Sequence, residues 1–175
     1  MPSVTDPAET EIARLVRGAQ RGDRTAFAEL YQRFTRMVHG IVLARTVRPG
    51  KNDVDDVVQD VFLVALERIA DLREPAAFGG WLASIARHRA TDAHRRTPPT
   101  EALVDDVAVS ESDPLDAMAI LDAIRSLPDA YSETLVLRLV EGMTGVEISD
   151  RTGLTPASVR VNLHRGMKLL REKLT

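Results

Sequence analysis

Apolar residues recur every three or four positions along two long stretches, residues 8–97 and 114–175. In the first stretch, Val54, Val58 and Val61 fall on one face of a helix that turns by about 100° per residue. No segment of comparable length alternates apolar and polar residues as a half-buried strand would. The spacing therefore predicts an all-α chain.

The two helical stretches are separated by residues 98–114, PPTEALVDDVAVSESDP, which carry five acidic and no basic residues. This segment contains proline and serine and lacks helical periodicity, which is typical of a flexible linker. Fully extended, a linker of this length reaches roughly 60 Å. We predict two small helical domains, residues 1–97 and 115–175, joined by an acidic linker over 98–114. The acidic charge of the linker is explained equally well by a role in solubility and by a role in a specific contact. The sequence alone does not distinguish the two.

The net charge of −3 argues against a nucleic-acid-binding protein. However, this value is a sum over segments of the chain that differ in charge. Residues 1–97 carry 15 Lys/Arg and 13 Asp/Glu, and residues 115–175 carry eight of each. Because the excess acid lies in the linker, both helical stretches retain enough basic residues for a DNA-binding face.

Several classes of site are excluded by composition. The chain has no cysteine, so disulfides, thiolate metal sites and cysteine nucleophiles are absent. His88 and His94 lack the i, i+4 spacing with a carboxylate partner that a helical zinc site needs, so no metal is predicted. Residues 1–10 are polar, and no apolar run approaches the roughly 20 residues that span a bilayer. We expect a cytoplasmic protein without membrane insertion.

A helix-turn-helix is predicted near the C-terminus. A short helix over residues 145–151 is followed by a turn containing Gly153, which tolerates a positive φ. Thr155 then caps a long helix that has Pro156 at its first position.

The long helix has a polar and basic face opposite its apolar stripe. A solvated basic face is the ordinary explanation, but on the second helix of a helix-turn-helix this face contacts the major groove and phosphates. The DNA-binding candidates on this helix are Thr155, Ser158, Arg160, Val161, His164, Arg165 and Lys168.

The helix predicted from Pro75 to Arg96 has a second face suited to DNA. It combines hydroxyl, imidazole and guanidinium groups beside an indole, which suits phosphates and unstacked bases. The indole of Trp81 can equally belong to the core. The candidate residues are Trp81, Ser84, Arg87, His88, Thr91, Arg95 and Arg96.

The helix predicted from Asp53 to Asp71 carries acidic residues away from its apolar face, and the periodicity assigns Leu66 to that apolar face. Leu63 lies within the acidic stripe, which is unusual for a solvated surface and favours contact with a basic helical partner. The candidate contact residues are Asp53, Asp56, Gln59, Asp60 and Leu63.

No catalytic motif is present: there is no phosphate-binding glycine loop, nucleophile elbow or cluster of histidines and carboxylates. We therefore expect no enzyme activity, no cofactor and no small-molecule substrate. Two further classes remain open from the residues alone. The chain could be a helix-turn-helix repressor or activator, or an interaction protein that binds a basic partner without DNA.

Four segments in a fixed order resemble a bacterial extracytoplasmic-function (ECF) sigma factor of the sigma-70 family. They cover nearly all of the chain outside the first ten residues and the linker. The segments are GDRTAFAELYQRF, DVDDVVQDVFLVALERI, FGGWLASIARHRATDAHRR and LPDAYSETLVLRLVEGMTGVEISDRTGLTPASVRVNLHRGMKLLREKL.

The resemblance implies a protein that binds the β and β′ subunits of core RNA polymerase and directs promoter-specific initiation, under the control of an anti-sigma factor. Residues 1–97 would form the region-two domain and residues 115–175 the region-four domain. The acidic stripe would bind the polymerase, the helix ending at Arg96 would capture and melt the minus-ten element, and the final helix would read the minus-thirty-five element. The family often has Asn where this chain has His88, which leaves the role of that position open.

Overall fold

The computed structural model describes residues 10–46, 51–96 and 114–175, and within them it contains eight α-helices and no β-strand. The all-α prediction is confirmed. Two short 3-10 turns, Ile69–Asp71 and Pro75–Ala77, connect the third and fourth helices. The predicted linker, apart from Pro114, lies outside the described residues. The helices are α1 (Glu11–Gln20), α2 (Arg24–Arg45), α3 (Lys51–Arg68), α4 (Phe78–Arg96), α5 (Pro114–Arg125), α6 (Asp129–Leu139), α7 (Gly145–Thr152) and α8 (Pro156–Leu174).

The helix ends follow local signals in the sequence. Asp23 caps α2, and its Oδ1 accepts hydrogen bonds from the backbone N–H groups of Thr25 at 2.9 Å and Ala26 at 3.2 Å. Such a cap satisfies donors that have no partner inside the helix and contributes about 1 kcal/mol. Asp23 therefore defines the start of α2.

The first half of the chain is built around α2, which packs against α1, α3 and α4. Leu30, Phe34 and Ile41 on α2 are fully buried. The Phe34 ring meets Phe78 of α4 edge to face, with 5.1 Å between the ring centroids. Burial of each such side chain contributes about 1.5–3 kcal/mol, so this cluster fixes the positions of α3 and α4.

The second half is centred on α6, which packs against α5, α7 and α8. Leu135 and Val136 join Ile124 of α5 and Leu170 of α8 in one buried cluster. The remaining apolar side of α6 is not directed to its own half. There Leu137 is buried in the same cluster as the core of α2.

The two halves are therefore in direct contact. Met143, Ile148 and Val159, from the loop before α7, from α7 and from α8, also belong to the cluster that contains Phe34 and Met37. The contacts run from α2 to α6 and from α4 to α7. The second half thus covers part of α4, which carries one of the two predicted sites of the first half, and leaves α3 uncovered.

Candidate protein and nucleic-acid interfaces

The acidic residues predicted on α3 lie on its solvent side. Val54, Val58 and Val61 are buried against the neighbouring helices. Asp53, Asp56, Gln59 and Leu63 are exposed, and Leu63 has 60% of its surface accessible. The fifth predicted residue, Asp60, borders α4 and forms an ion pair with Arg89, with 3.3 Å between Oδ2 and Nε.

Leu66 corrects the sequence-based assignment of the α3 faces. Its spacing predicts an inward position, but 50% of its surface is accessible. Leu66 lies at the border of the packed side, where no helix covers it, whereas Val64 at the other border is buried. Leu63 and Leu66 are three residues apart and form an exposed apolar pair, with Leu63 in the acidic stripe and Leu66 at its edge. Helical periodicity could not identify Leu66 as exposed. It defines the apolar face of a helix, but not which border of that face a neighbouring helix covers.

The predicted DNA face of α4 contains some side chains that are accessible and others that already contact the rest of the protein. His88, Arg95 and Arg96 are exposed, and Ser84 is half-buried. Trp81 is partly buried on the core, with its ring centroid 5.8 Å from that of Phe78. The indole thus packs against the core, and part of its surface remains accessible.

Arg87 and Thr91 on the same face already have partners. The Arg87 guanidinium donates to both carboxylate oxygens of Glu133 on α6, at 3.0 Å from Nε and 2.7 Å from Nη2. This hydrogen bond raises the pKa of Arg87 above its ordinary value, since the carboxylate favours the charged form. The Thr91 hydroxyl donates to the Arg87 carbonyl at 2.9 Å.

The predicted helix-turn-helix is present in α7 and α8. Gly153 between them has φ of 77°, the left-handed conformation predicted for the turn. Thr155 caps α8 by accepting from the Ser158 N–H at 3.1 Å, and its hydroxyl donates to the Ser158 hydroxyl at 2.8 Å. Sequence reasoning missed the capping box that starts α7, although its Thr-x-x-Glu signal is present. In this box Thr144 and Glu147 bond reciprocally, and the backbone and side-chain hydrogen bonds from Thr144 lower the pKa of Glu147.

The basic face of α8 is open. Val159 and Leu170 are buried, and Asn162 is turned towards Thr134 of α6. The predicted DNA-contacting residues Arg160, Val161, His164, Arg165 and Lys168 are exposed. The structure therefore brings the predicted residues of α8 onto one accessible surface.

The chain matches two models of one protein family in chain order. Residues 30–98 match sigma-70 region 2, and residues 117–170 match sigma-70 region 4. RNA polymerase sigma factor CarQ of Myxococcus xanthus is 34% identical over 161 residues, covering 87% of this chain and 91% of that protein. The ECF RNA polymerase sigma-E factor of Haemophilus influenzae is 30% identical over 179 residues, covering 91% and 93%. The chain belongs to the ECF sigma factors of the sigma-70 family. This sigma factor is thus a transcription initiation factor whose partners are core RNA polymerase and promoter DNA.

The fold of the sigma factor is shared with a solved structure. That structure, of CnrH in complex with the cytosolic domain of CnrY, has a TM-score of 0.65 and 23% identity. The match covers 93% of this sigma factor and 96% of the other chain. Among the described residues, no helix is long and apolar enough to cross a membrane, and no group of three or more histidines and carboxylates could hold a metal ion.

Proposed function

We propose that the three exposed faces divide the work of initiation. The acidic face of α3 binds core polymerase, α4 captures and opens the minus-ten element, and α8 reads the minus-thirty-five element. Residues 1–97 supply the first two roles and residues 115–175 the third, joined by residues 98–114. The sigma factor catalyses no reaction itself and acts in the cytoplasm, where core polymerase is found.

The observation that carries this proposal is the exposure of Leu63 within a row of carboxylates, with the exposed Leu66 beside it at the edge of that row. Leaving two leucines in water is unfavourable, and burying both against a partner contributes several kcal/mol at about 25 cal/mol per Å². The surrounding carboxylates of Asp53 and Asp56 favour a basic partner and speed the encounter with it. A helical surface on the polymerase with an apolar stripe and basic margins fits this face.

The DNA-binding part of the proposal is supported by the shape of the second half. The capped turn at Gly153 and the buried Val159 hold α8 so that its basic face is presented to solvent. Side chains near the start of the second helix of such a motif reach base edges, and those farther along reach phosphates. Arg160 and His164 are thus placed for bases, and Lys168 for the backbone.

The ECF family resemblance further implies an anti-sigma factor, and we include such a partner in the proposal. A protein of this kind would block initiation by covering one of the exposed faces. Mixing it with the sigma factor should abolish transcription without any change in the DNA or the polymerase.

Reconstitution tests the proposal directly. Purified sigma factor and core polymerase are incubated with a library of genomic fragments, and transcript starts are mapped. We expect starts that depend on the sigma factor and share two upstream elements. DNA binding without any sigma-dependent transcript would instead identify a helix-turn-helix repressor or activator.

A single charge reversal tests the acidic face. We expect Asp56→Arg to weaken core binding by roughly tenfold or more, because it places a cation opposite basic groups. Asp56 is preferred to Asp60 because Asp60 also pairs with Arg89 inside the chain. Affinity is measured by fluorescence anisotropy at two salt concentrations, and the effect should shrink at high salt. Glu172→Arg, an exposed reversal on α8, is the matched control and should retain wild-type affinity. Equal affinities of the two variants would contradict the assignment.

A further inference from the structure

One side chain of α1 holds the turn that follows α3 and leads towards α4. The amide nitrogen Nε2 of Gln20 donates to the carbonyl oxygen of Ile69 at 2.9 Å and to that of Leu72 at 2.8 Å. These partners lie 49 and 52 residues away along the chain. The amide nitrogen of glutamine carries two N–H donors, so this one side chain binds the turn at both of its ends.

The turn is a weak element without Gln20. It is a 3-10 turn of three residues, Ile69–Asp71, and such short turns have poorer hydrogen-bond geometry than an α-helix. The N–H of Leu72 donates to the carbonyl of Ile69 at 3.2 Å, the long end of the usual range. Both hydrogen bonds from Gln20 are partly shielded from water, so losing them would leave two carbonyls poorly satisfied. The conformation of the turn therefore depends on Gln20.

The helix α1 is a firm support for this side chain. Val16 and Ala19 are buried in the main hydrophobic core. Directly after Gln20 the chain turns into α2, and the N–H of Gly22 donates to the carbonyl of Ala19 at 2.9 Å. The core on one side and this tight turn on the other thus fix where Gln20 can reach.

The turn held by Gln20 presents a short exposed segment. Ile69 and Pro75 are buried and Leu72 is half-buried, whereas Arg73 and Glu74 are exposed. These two residues offer complementary chemistry to nucleic-acid bases. A guanidinium donates to the acceptors of guanine, and a carboxylate accepts from the amino group of cytosine.

The exposed segment leads directly to the accessible indole of α4. Pro75–Ala77 forms a 3-10 turn, and Phe78 continues it into α4 with helical angles, φ of −51° and ψ of −44°. Ala77 is exposed and lies four residues before Trp81, about one helical turn. A base stacked on the exposed part of Trp81 would have the end of this segment as its neighbour.

We propose that Gln20 is a positioning residue for minus-ten recognition. By binding the turn, it holds Arg73 and Glu74 beside the start of α4, where they discriminate between bases. The basic last turn of α4 supplies phosphate contacts that do not need this segment. The proposal rests on the DNA-binding role proposed for α4, and Gln20 itself touches no DNA.

Loss of the Gln20 hydrogen bonds should affect binding of the correct sequence alone. A loosened segment lowers the fraction of chain that is ready for base contacts, and the apparent affinity falls by that fraction. A strand with a scrambled minus-ten sequence is bound through its phosphates, so its affinity should not change. The ratio of the two affinities therefore reports positioning, whereas a general loss of folded protein lowers both affinities equally.

Two substitutions separate the donors of Gln20 from the rest of its side chain. Gln20→Met keeps the length and the helix propensity but cannot donate. Gln20→Lys retains N–H donors and should therefore rescue recognition. Its added charge strengthens binding to both strands alike and cancels in the ratio.

Gln32 provides the matched controls. It is an exposed glutamine on α2, so Gln32→Met and Gln32→Lys repeat the same chemical changes away from the turn. Circular dichroism and thermal unfolding verify that all four variants are folded. Binding of core polymerase and of a duplex carrying the minus-thirty-five element should match wild type in every variant, because Gln20 holds neither α8 nor the solvent face of α3.

Two measurements are made on the full-length chain. Hydrogen exchange followed by mass spectrometry reports how often the peptide over residues 69–77 opens. Fluorescence anisotropy reports binding of two labelled single-stranded oligonucleotides. One carries the minus-ten non-template strand mapped with the wild-type holoenzyme, and the other carries the same bases in scrambled order.

We expect Gln20→Met to speed exchange in this peptide and to lower the ratio of the two affinities on the order of tenfold. Gln20→Lys and both controls should keep the wild-type ratio and the wild-type exchange.

Four results would overturn the positioning role. An unchanged ratio in Gln20→Met would show that recognition does not need the tie, and unchanged exchange would show that the turn holds itself. An equal fall in both affinities would show that Gln20 serves only stability. Failure of Gln20→Lys to restore the ratio would show that the donors are not responsible. Failure of the proposed function would appear in the wild type itself, which would then bind both oligonucleotides equally or yield no transcripts.

Discussion

At the scale of single residues, the two carboxylates that bridge the halves respond differently to pH. Glu133 faces guanidinium groups, which stay charged at any physiological pH. Glu141 faces His39, and this hydrogen bond raises the pKa of His39 above its ordinary value of about 6.5. The charged groups that face His39 are Glu141 and, at longer range, Asp55, while Arg36 binds the backbone carbonyl of Glu141.

This difference predicts that alkaline pH weakens the contact between the two halves. A chain with its halves in contact binds the His39 proton more tightly than a chain with its halves apart, so the stabilisation of the contact is complete below the ordinary pKa of histidine. The stabilisation is lost as the pH rises through the raised pKa. We expect energy transfer between dyes on two introduced cysteines, one in each half, to fall from pH 5.5 to pH 8. The native chain has no cysteine that would interfere with labelling.

His39→Gln is the control for this titration. It retains a hydrogen-bonding side chain but cannot take up a proton, so its energy transfer should be independent of pH over the same range. An equally steep pH dependence in His39→Gln would assign the titration to another group.

At the scale of elements, the helices could be predicted because their signals are local. Apolar spacing, the Asp23 cap and the Gly153 turn each depend on residues within a few positions of one another. The same spacing correctly left Leu63 outside the core but wrongly buried Leu66. A periodic pattern defines the centre of a helix face, whereas its borders depend on which neighbour packs there. The burial predicted along α3 is therefore wrong only at one edge of its apolar face.

The turn between α7 and α8 gives an element-scale prediction. Gly153 has a positive φ, and a Cβ there would lie 3.3 Å from Cα of Gly80 on α4. Gly153→Ala should lower the free energy of unfolding by about 1–2 kcal/mol, because an L-residue is strained in this conformation. Denaturant titration measures the change. Gly145→Ala is the control: its Cβ would meet only Val159 at 3.8 Å, and it should be neutral or slightly stabilising. Equal destabilisation by both changes would show that strain at Gly153 is not the cause.

At the scale of the whole molecule, the contact between the halves could not be predicted from the sequence. Arg87 and Glu133 are 46 residues apart, and His39 and Glu141 are 102 apart. No periodicity connects such pairs, and each residue alone is typical of a solvated helix. The DNA-binding interpretation of Arg87 and its observed partner are nevertheless compatible, because a guanidinium that fits a phosphate also fits a carboxylate. The sequence indicated what Arg87 can bind, and only the fold reveals what competes for it.

The shared core predicts how the halves behave when the chain between them is cut. A protease site inserted within residues 98–113 allows the linker to be cleaved after folding. We expect the two fragments to co-elute in gel filtration, because Leu137, Met143 and Ile148 remain buried against α2 and their exposure would cost several kcal/mol. The Gly79→Ala chain should separate into two peaks after the same cleavage, because a Cβ at Gly79 of α4 would lie 2.2 Å from the carbonyl oxygen of Arg151 on α7. The Gly80→Ala chain should not separate, because a Cβ there would have its nearest neighbour at 3.5 Å, an ordinary contact. Immediate separation of the wild-type fragments would mean that the linker, rather than the interface, holds the halves together.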